Sequence, residues 1–428
     1  MSNFASLPGF RDFYPEDLAV RAHIMKVWRE VACRYGFREY DGPPLEPTEL
    51  YIEKSGPEIV QQLYNFTDKG GREVALRPEM TPTLARMVGA RAGGMRKPIK
   101  WFSMPQLFRY ERQQRGRLRE HFQLNLDIVG EADIAADAEL LAAAIDVLRC
   151  FGLTEEDFIA RVSDRRLLRA LLLHAQVPED RLTLVYNIVD KLEREPRERI
   201  AERLAGEAGL GPAVVEEVLG IFRTRDFEAV RDAYGGTEGI ADEIHRLHEL
   251  FGYLEAMGLA KYVRFDLSVV RGLAYYTGVV FELFDARGEL RAIAGGGRYD
   301  DLLRVIAGVD LPALGFGMGD VVLRELLADR GKLPRLEQRI EYFLVAVTEE
   351  EREPLLSLAH RLREQGRAVE YALRHQAVGK QLKAAVAAGA RKAIILGPDE
   401  RAQGLVVVRE LAGGEEVRVP IDRLVESG

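Results

Sequence analysis

The chain has 428 residues, of which 47% are hydrophobic and 30% charged, and its formal net charge is −8. This length and hydrophobic content allow a large core and predict two or three domains. The acidic balance argues against a protein that coats nucleic acid, although a local basic patch is compatible with it. Two cysteines are too few for a disulfide framework. The sequence contains no CxxC or HExxH motif, so a structural or protease-type zinc site is not expected.

The N-terminus is polar and acidic, unlike a signal peptide. No apolar run reaches the roughly 18–20 residues of a membrane span. We therefore expect a cytoplasmic protein without membrane association and without a metal held by protein ligands alone.

The stretch LRPEMTPT predicts the start of a helix. Thr81 is expected as its N-cap and Pro82 as its first residue. Arg77 and Glu79 would then lie just before a helix N-terminus, which is a favourable place to bind a polar ligand. A simple capping motif explains this stretch equally well.

The stretch Trp101–Gly130 predicts two antiparallel strands joined by a basic loop. Arg109 and Glu111 are two residues apart, so on a strand they would share one face. The second run has the same spacing and contains Gln123, Asn125 and Asp127. Such a face suits an anionic, hydrogen-bonding substrate, for example a nucleotide with a small polar partner. A solvated hairpin is the alternative, because charge runs are usually solvated.

The middle of the chain changes character twice. Ile134–Cys150 predicts a buried helix rich in Ala and Leu. From about 165 to 242 the periodicity predicts a helical insertion, and Lys261–Glu289 then returns to a strand-like composition.

Two glycine-rich stretches follow, Ala294–Asp300 and Ala313–Asp320, and the second leads into a predicted helix, Val321–Ala328. Neither has the spacing of a Walker A loop or of GxGxxG. If the protein binds ATP, it does so by arginine contacts on an open antiparallel sheet.

Beyond a linker near Leu333, strands and helices alternate in a pattern typical of a small α/β domain with a mostly parallel sheet. The predicted elements are strands Ile340–Val347, Ala368–Tyr371, Lys392–Leu396 and Leu405–Glu410, and helices Glu350–Gln365 and Lys380–Ala388.

Together these stretches resemble histidyl-tRNA synthetases, a family of class II aminoacyl-tRNA synthetases, over essentially the whole chain. The motifs that carry the resemblance, in order, are LPGFRDFYPED, LRPEMT, FRYERQQRGRLREHFQ (similar to class II motif 2), RGLAYYTGVVFE followed by AGGGRYD, and VGKQLKAAVAAGARKAIILG.

The resemblance implies an α+β class II synthetase core with an antiparallel sheet flanked by helices. This core would span 1–330, with the helical insertion at about 165–242, and an α/β anticodon-binding domain would span 338–428. The resemblance also implies a homodimer formed through Gly42–Pro47. The reaction would be histidine–tRNA ligation, with L-histidine, ATP, Mg²⁺ and tRNA(His) as substrates and cofactors.

The resemblance further assigns site residues. Arg109 and Arg271 would be catalytic, at the α-phosphate of ATP. Glu111 and Arg117 would serve the adenine and the acceptor end of the tRNA. The expected histidine-binding residues are Glu79, Thr81, Gln123, Asp127, Tyr275, Tyr276 and Tyr299.

Three positions depart from the family pattern. Ala274 replaces an aspartate, Asp127 replaces a glutamate, and Val322 replaces the motif 3 arginine that binds the γ-phosphate. Arg324 would point roughly 200° away from Val322 on a helix; Arg112 or Arg117 is the expected substitute cation.

These departures leave an alternative open, a histidine-sensing regulatory subunit of ATP phosphoribosyltransferase. Such proteins tend to lack the anticodon-binding domain and the signature arginine, and both features are present in this sequence.

Overall fold

The computed structural model describes residues 4–112, 114–192, 195–270, 275–334 and 340–426. The chain divides into two compact units, Met1–Pro334 and Arg335–Gly428. Among the helices described, none is long and apolar enough to span a membrane.

The strands of the first unit are β1 (Arg38–Glu39), β2 (Leu45–Pro47), β3 (Tyr64–Thr67), β4 (Glu73–Leu76), β5 (Ile99–Ser103), β6 (Gln106–Phe108), β7 (Glu120–Val129), β8 (Phe158–Asp164), β9 (Val263–Phe265), β10 (Val279–Asp285), β11 (Ala294–Arg298) and β12 (Ala313–Gly319).

Its helices are α1 (Pro15–Arg34), α2 (Thr48–Ser55), α3 (Thr81–Gly89), α4 (Ile134–Cys150), α5 (Arg165–His174), α6 (Leu182–Val189), α7 (Arg197–Gly206), α8 (Pro212–Arg223), α9 (Phe227–Tyr234), α10 (Ala241–Ala256), α11 (Leu302–Ala307) and α12 (Asp320–Asp329).

The large sheet has the strand order β1-β5-β7-β12-β11-β10-β8-β9, and β6 pairs with β7. Its pairings from β5 to β8 are antiparallel. The edge strands β1 and β9 run parallel to their neighbours. The predicted antiparallel core is therefore confirmed, with a parallel strand added at each edge.

Helix α4 covers the back of this sheet, as its composition predicts. Ala138, Ala142, Ala143 and Ala144 are fully buried, and these small side chains let the helix approach β7, β10, β11 and β12 closely.

A buried ion pair between Asp137 of α4 and Arg298 of β11 joins the two layers. Arg298 also donates to the backbone oxygens of Glu131 and Asp133, at 2.9 and 3.2 Å. It also pairs with Asp300 at 3.3 Å. Because Arg298 is buried and bonded to several protein groups, it has a structural role.

The helices from α5 to α10 occupy the region in which an insertion is predicted, and they continue to Ala256 rather than ending at 242. Helix α10 packs against α4. The buried side chains of α6 to α9 belong to the same hydrophobic cluster as the sheet and α4. The helical region is thus packed onto the core rather than attached to it by a linker.

A small sheet, β2-β4-β3, leads into the turn before α3. Two sequence predictions are wrong here. Helix α3 begins at Thr81, and Met80 precedes it in a helical conformation without a side-chain cap, so Thr81 is not the N-cap. Arg77 does not face a ligand either; it is buried and donates to the backbone oxygens of Gly42 and Gln106, at 2.7 and 3.1 Å.

The second unit contains β13 (Tyr342–Ala346), β14 (Val369–Tyr371), β15 (Lys392–Leu396), β16 (Leu405–Glu410) and β17 (Glu416–Pro420), with α13 (Arg352–Glu364), α14 (Val378–Ala387), α15 (Pro398–Ala402) and α16 (Ile421–Glu426). Its sheet has the order β14-β13-β15-β16-β17.

The first two pairings of this sheet are parallel and the last two antiparallel. The expectation of a mostly parallel sheet is therefore wrong. The additional antiparallel pairing comes from β17, a strand that was not predicted from the sequence. It follows β16 through a short turn containing Gly413 and Gly414 and forms a hairpin with it.

Candidate active site

The front face of the large sheet carries a cavity of about 630 Å³. The sequence-predicted site residues that line it are Glu79, Thr81, Arg109, Glu111, Arg117, Gln123, Asp127, Tyr275, Tyr276 and Tyr299. Arg271 and Ala274 lie outside the described residues. Side chains from five separate parts of the first unit therefore meet at one place.

The floor of the cavity is formed by β7, β10, β11 and β12, and glycines make room on it. A Cβ atom on Gly315 would lie 2.1 Å from Oδ1 of Asp127 and 2.8 Å from the hydroxyl of Tyr299. A Cβ atom on Gly317 would lie 2.7 Å from the side chain of Gln123. Only glycine allows these side chains to lie across the neighbouring strand.

One end of the cavity is enclosed by aromatic hydroxyls around a carboxylate. The hydroxyl of Tyr299 donates to Asp127, which is buried. The ring of Tyr275 lies 4.3 Å from that of Tyr276 and 6.0 Å from that of Tyr299, centroid to centroid. Burial raises the pKa of Asp127 to about 7, although the Tyr299 hydroxyl favours the ionised form. This end can donate and accept hydrogen bonds and can change its charge near neutral pH.

An ion pair that the sequence analysis missed lies beside this group. Lys54 of α2 pairs with Glu79, and the exposed fractions of the two side chains are 3% and 20%. The Lys54 ammonium also lies 4.2 Å from the centre of the Tyr275 ring. A lysine on a short charged helix gives no sequence signal of burial, so this contact is visible only in the tertiary structure.

The basic loop approaches the cavity from the other side. Strand β6 ends at Phe108, so Arg109 and Glu111 do not lie on a strand and the shared-face argument fails for them. They reach the cavity through a turn, in which the backbone N–H of Glu111 donates to the carbonyl of Arg109 at 2.9 Å. Arg109 donates to the carbonyl of Pro78 at 3.0 Å, and Arg117 forms an ion pair with Glu111.

The N-terminal segment fastens the base of this loop. The backbone N–H groups of Arg119 and Glu120 donate to the carbonyl of Gly9, at 3.1 and 3.2 Å. Arg11 bridges Glu120 and Asp320 at 2.6 and 2.8 Å. The hairpin and the start of α12 are therefore held together by one buried cluster of charges.

Asn125, which was expected on the same face as Gln123 and Asp127, also lines the cavity, and so do the unpredicted His121, Glu282 and Arg291. Burial and the nearby guanidiniums of Arg109 and Arg11 lower the pKa of His121 to about 3, so its ring is neutral. The period of two along β7 could have identified His121, since it continues the run of Gln123, Asn125 and Asp127. Glu282 and Arg291 carry no comparable signal.

The structure places Val322 and Arg324 as the sequence predicts, with only the first at the cavity. Val322 lines the cavity, whereas Arg324 forms an ion pair with Asp17 of α1. Of the two expected substitute cations, Arg117 is paired with Glu111. The structure places no cavity contact on Arg112, within the ranges that it describes.

Together, the antiparallel sheet with its glycine floor and the arginine-bearing hairpin over it define a class II aminoacyl-tRNA synthetase core. The histidyl-tRNA synthetase family model matches residues 9–320, and an anticodon-binding domain model matches residues 341–427. This chain belongs to the histidyl-tRNA synthetase family.

Relatives of the chain support this over its full length. It is 46% identical to the histidine–tRNA ligase of Opitutus terrae over 99% of this chain and 98% of the relative. It is 42% identical to the chloroplastic/mitochondrial histidine–tRNA ligase of Arabidopsis thaliana, over 97% and 85%. The predicted family, fold class and ligase activity are confirmed.

Solved structures share the fold. The histidyl-tRNA synthetase of a Nostoc species has a TM-score of 0.84 at 24% identity and covers 100% of this chain, with 99% of its own length matched. A Bacillus halodurans protein, titled an ATP phosphoribosyltransferase regulatory subunit/histidyl-tRNA synthetase, has a TM-score of 0.77 at 24% identity and covers 93%, with 99% of its length matched. The regulatory alternative is not favoured, because the sequence relatives are ligases over nearly the whole chain.

Proposed function

We propose that the cavity activates L-histidine with ATP to histidyl-adenylate and then transfers the histidyl group to the 3′ end of tRNA(His). The observation that carries this assignment is the group of buried Asp127 and Tyr299 with half-buried Tyr275 and Tyr276, which lies in the same cavity as Arg109. It provides hydrogen-bond donors and acceptors of the kind that an imidazole requires.

The amino acid would bind at this enclosed end. Asp127 and the tyrosines would bind the imidazole, and an analogue without ring nitrogens would leave them unpaired at a large cost. Glu79 and Thr81 would bind the α-amino group. Gln123, further along β7, would contact the carboxylate region.

ATP would lie across the sheet towards the hairpin. An oxygen of the histidine carboxylate attacks the α-phosphorus, and the bond from that phosphorus to the pyrophosphate oxygen breaks. Neither this step nor the transfer to the tRNA ribose needs a protein nucleophile. Both need positioning and charge stabilisation, which Arg109 and Arg271 would supply at the α-phosphate. Glu111 and Arg117 would contact the adenine and the acceptor end, and the neutral His121 ring offers the base a flat surface.

Mg²⁺ would accompany the ATP. This ion prefers oxygen ligands and commonly uses one or two carboxylates with substrate phosphates. In the ranges that the structure describes, no three Asp, Glu, His or Cys side chains are grouped to hold a metal ion. The cavity carboxylate of Glu282 fits the smaller number of ligands. The ion would neutralise charge on the outer phosphates.

The second unit would bind the anticodon arm of the tRNA, and the protein would act in the cytoplasm as a homodimer. The proposed dimer contact is the segment Gly42–Pro47 and the small sheet that contains β2. Leu45 and Phe66 on this sheet are 37% and 50% exposed, which leaves apolar surface for a partner. Sedimentation velocity of the wild type and of Phe66→Asp tests the contact; a monomeric wild type would contradict it.

The decisive assay for the function measures exchange of labelled pyrophosphate into ATP with each standard amino acid, and charging of tRNA, both at millimolar ATP. We expect exchange only with histidine, together with charging. Exchange without charging would indicate a repurposed adenylate-forming enzyme. Histidine binding without exchange would contradict the enzymatic assignment.

A further inference from the structure

The tyrosines at the enclosed end of the cavity come from two separate segments of the chain. Tyr275 and Tyr276 precede β10, and Tyr299 follows β11. The backbone N–H of Tyr299 donates to the carbonyl of Ala313 at 2.7 Å, which continues the pairing of β11 with β12. Strand β10 begins only at Val279, after the other two tyrosines. The position of these two therefore depends on what holds the residues just before β10.

The residues that follow the tyrosines, Thr277 and Asp300, are bonded to each other. The hydroxyl of Thr277 donates to Oδ2 of Asp300 at 3.1 Å and accepts from the backbone N–H of Asp300 at 3.0 Å. The backbone N–H of Thr277 also donates to the carbonyl of Arg298 at 2.7 Å. One hydroxyl and one carboxylate thus connect the segment of Tyr276 to the segment of Tyr299.

Arg166 of α5, the first helix of the helical region, contacts both segments. Its Nε donates to the carbonyl of Thr277 at 2.9 Å, and a terminal nitrogen donates to Oδ2 of Asp300 at 3.1 Å. The planar guanidinium presents these donors side by side, so one side chain can reach two acceptors. The backbone N–H of Arg166 is in turn bonded to the N-cap Asp164, at 2.7 Å. The start of α5 is therefore fixed to the residues behind the tyrosines.

A shift of Thr277 would be passed on to the tyrosine rings. Tyr276 precedes Thr277, and its ring lies against β11, where a Cβ atom on Gly297 would be 3.1 Å from Cδ1 of the ring. The rings of Tyr275 and Tyr276 are in contact in turn. Arg166, Thr277 and Asp300 do not belong to the described residues that line the cavity. Their effect on a ligand must therefore pass through the tyrosines.

We propose that Arg166, Thr277 and Asp300 form a tyrosine clamp, which positions the tyrosine hydroxyls for the imidazole and gives the helical region a part in selecting histidine. The proposal rests on the function proposed above, since it needs the imidazole to bind at this end. The three are positioning residues. A hydroxyl that is displaced or turned no longer aims at a ring nitrogen, because hydrogen bonds weaken steeply with distance and angle.

The test is steady-state pyrophosphate exchange by the full-length protein. Arg166→Ala should raise KM for histidine on the order of tenfold, the scale of effect that small misplacements of a binding group produce. KM for ATP should stay within about twofold, and kcat should change little. Arg166 is 40% exposed and Asp300 24%, so loss of their ion pair should hardly lower the melting temperature.

Two further variants sharpen the test. Thr277→Val keeps the size of the side chain but removes the hydroxyl, so KM for histidine should again rise with KM for ATP unchanged. Arg166→Lys should recover part of the loss, because lysine keeps the charge but not the pair of donors. Asp300 is not replaced, since it also pairs with the buried Arg298.

The chain offers a matched control for each side of the clamp. Arg169 lies about one turn further along α5, is exposed, and pairs with Glu179. Asp301 follows Asp300, is 62% exposed, and pairs with Arg304. Arg169→Ala and Asp301→Ala should both behave as the wild type.

Selectivity gives a second readout, which a purely structural role would not change. Histidine methylated at either ring nitrogen should compete poorly with histidine in the wild type. In Arg166→Ala and Thr277→Val this preference should fall several-fold, because the displaced hydroxyls no longer require a free ring nitrogen. The double variant should be no worse than the stronger single one, since both changes break the same clamp.

Equal rises in KM for histidine and for ATP would overturn the proposal, as would an unchanged KM for histidine in Arg166→Ala and Thr277→Val. Full additivity in the double variant, or an effect of Arg169→Ala as large as that of Arg166→Ala, would also overturn it. Failure of the ligase function would instead show as no histidine-dependent exchange by the wild type.

Discussion

The polar groups at the two ends of the cavity differ in burial and in pairing. At the end of the cavity proposed for histidine, polar groups are largely buried and already paired with one another, as Tyr299 is with Asp127 and Lys54 with Glu79. At the phosphate end, arginines on loops face the cavity with more exposure, as Arg117 does with a side chain 42% exposed. Such pairs hold the buried polar groups in fixed positions. Selectivity then comes from the donor and acceptor sites that still face the cavity, because a wrong ligand leaves these sites unpaired. Guanidiniums that face the cavity can stabilise the charge that develops on a phosphate in the transition state.

This comparison predicts that the largest loss of activity follows replacement of an arginine at the reacting phosphate. Arg109→Ala should slow single-turnover adenylate formation by about 10²-fold or more, because a guanidinium stabilises charge that develops in the transition state. Arg271→Ala should do the same, and histidine binding without ATP should change less in both. Arg115→Ala is the control, since that side chain is 67% exposed and contacts Glu325. A near-wild-type rate for either active-site variant would remove that residue from the mechanism.

The next effect should come from the buried pair at the histidine end. Glu79→Gln removes the proposed partner of the α-amino group and leaves the Lys54 ammonium buried without its counter-charge. We expect KM for histidine to rise about 10- to 100-fold and the protein to lose about 1–3 kcal/mol of stability. Steady-state exchange kinetics and thermal unfolding measure the two.

The double variant Lys54→Met with Glu79→Gln separates these effects. It should recover most of the stability, because no buried charge is left unpaired, while KM for histidine stays high. Recovery of histidine binding together with stability would show that Glu79 acts only on the fold.

A change of pH should have a smaller effect on KM for histidine. The raised pKa of Asp127, about 7, means that its carboxylate form is complete only above neutral pH. Free histidine is also neutral only above its imidazole pKa of roughly 6.5. KM for histidine should therefore fall up to about tenfold between pH 6 and pH 8. In Asp127→Asn it should be higher throughout and follow only the titration of free histidine; a flat wild-type profile would contradict this.

The smallest effect on ATP binding is expected from replacing Arg324, which faces away from the cavity. Arg324→Ala should leave KM for ATP within about twofold of the wild type, because its ion pair with Asp17 lies outside the cavity. Both partners are 39% exposed, so unfolding should change by less than about 1 kcal/mol. A clear rise in KM for ATP would mean that Arg324 reaches the nucleotide.

The sequence by itself determined the elements whose signals are local and the residues that share one strand or turn. The apolar period of α4 and the period of two along β7 are physical consequences of helix and strand geometry, and both appear in the structure. The motifs identified the family and ten of the residues that line the cavity. The boundaries of α3 and the turn after β6 were less accessible, since they depend on backbone conformation at single residues.

Only the tertiary structure decided which of the remaining charged residues lie at the cavity. Glu282 and Arg291 come from a strand and a connection that carry no motif, and packing brings them to the cavity wall. Lys54, from a helix far away in the chain, pairs with the cavity residue Glu79. Likewise, only the structure shows that Gly315 and Gly317 of β12 leave room for the side chains of Asp127 and Gln123. Burial and proximity are properties of the folded chain, and they set the charge, the pKa and the available partners of each group.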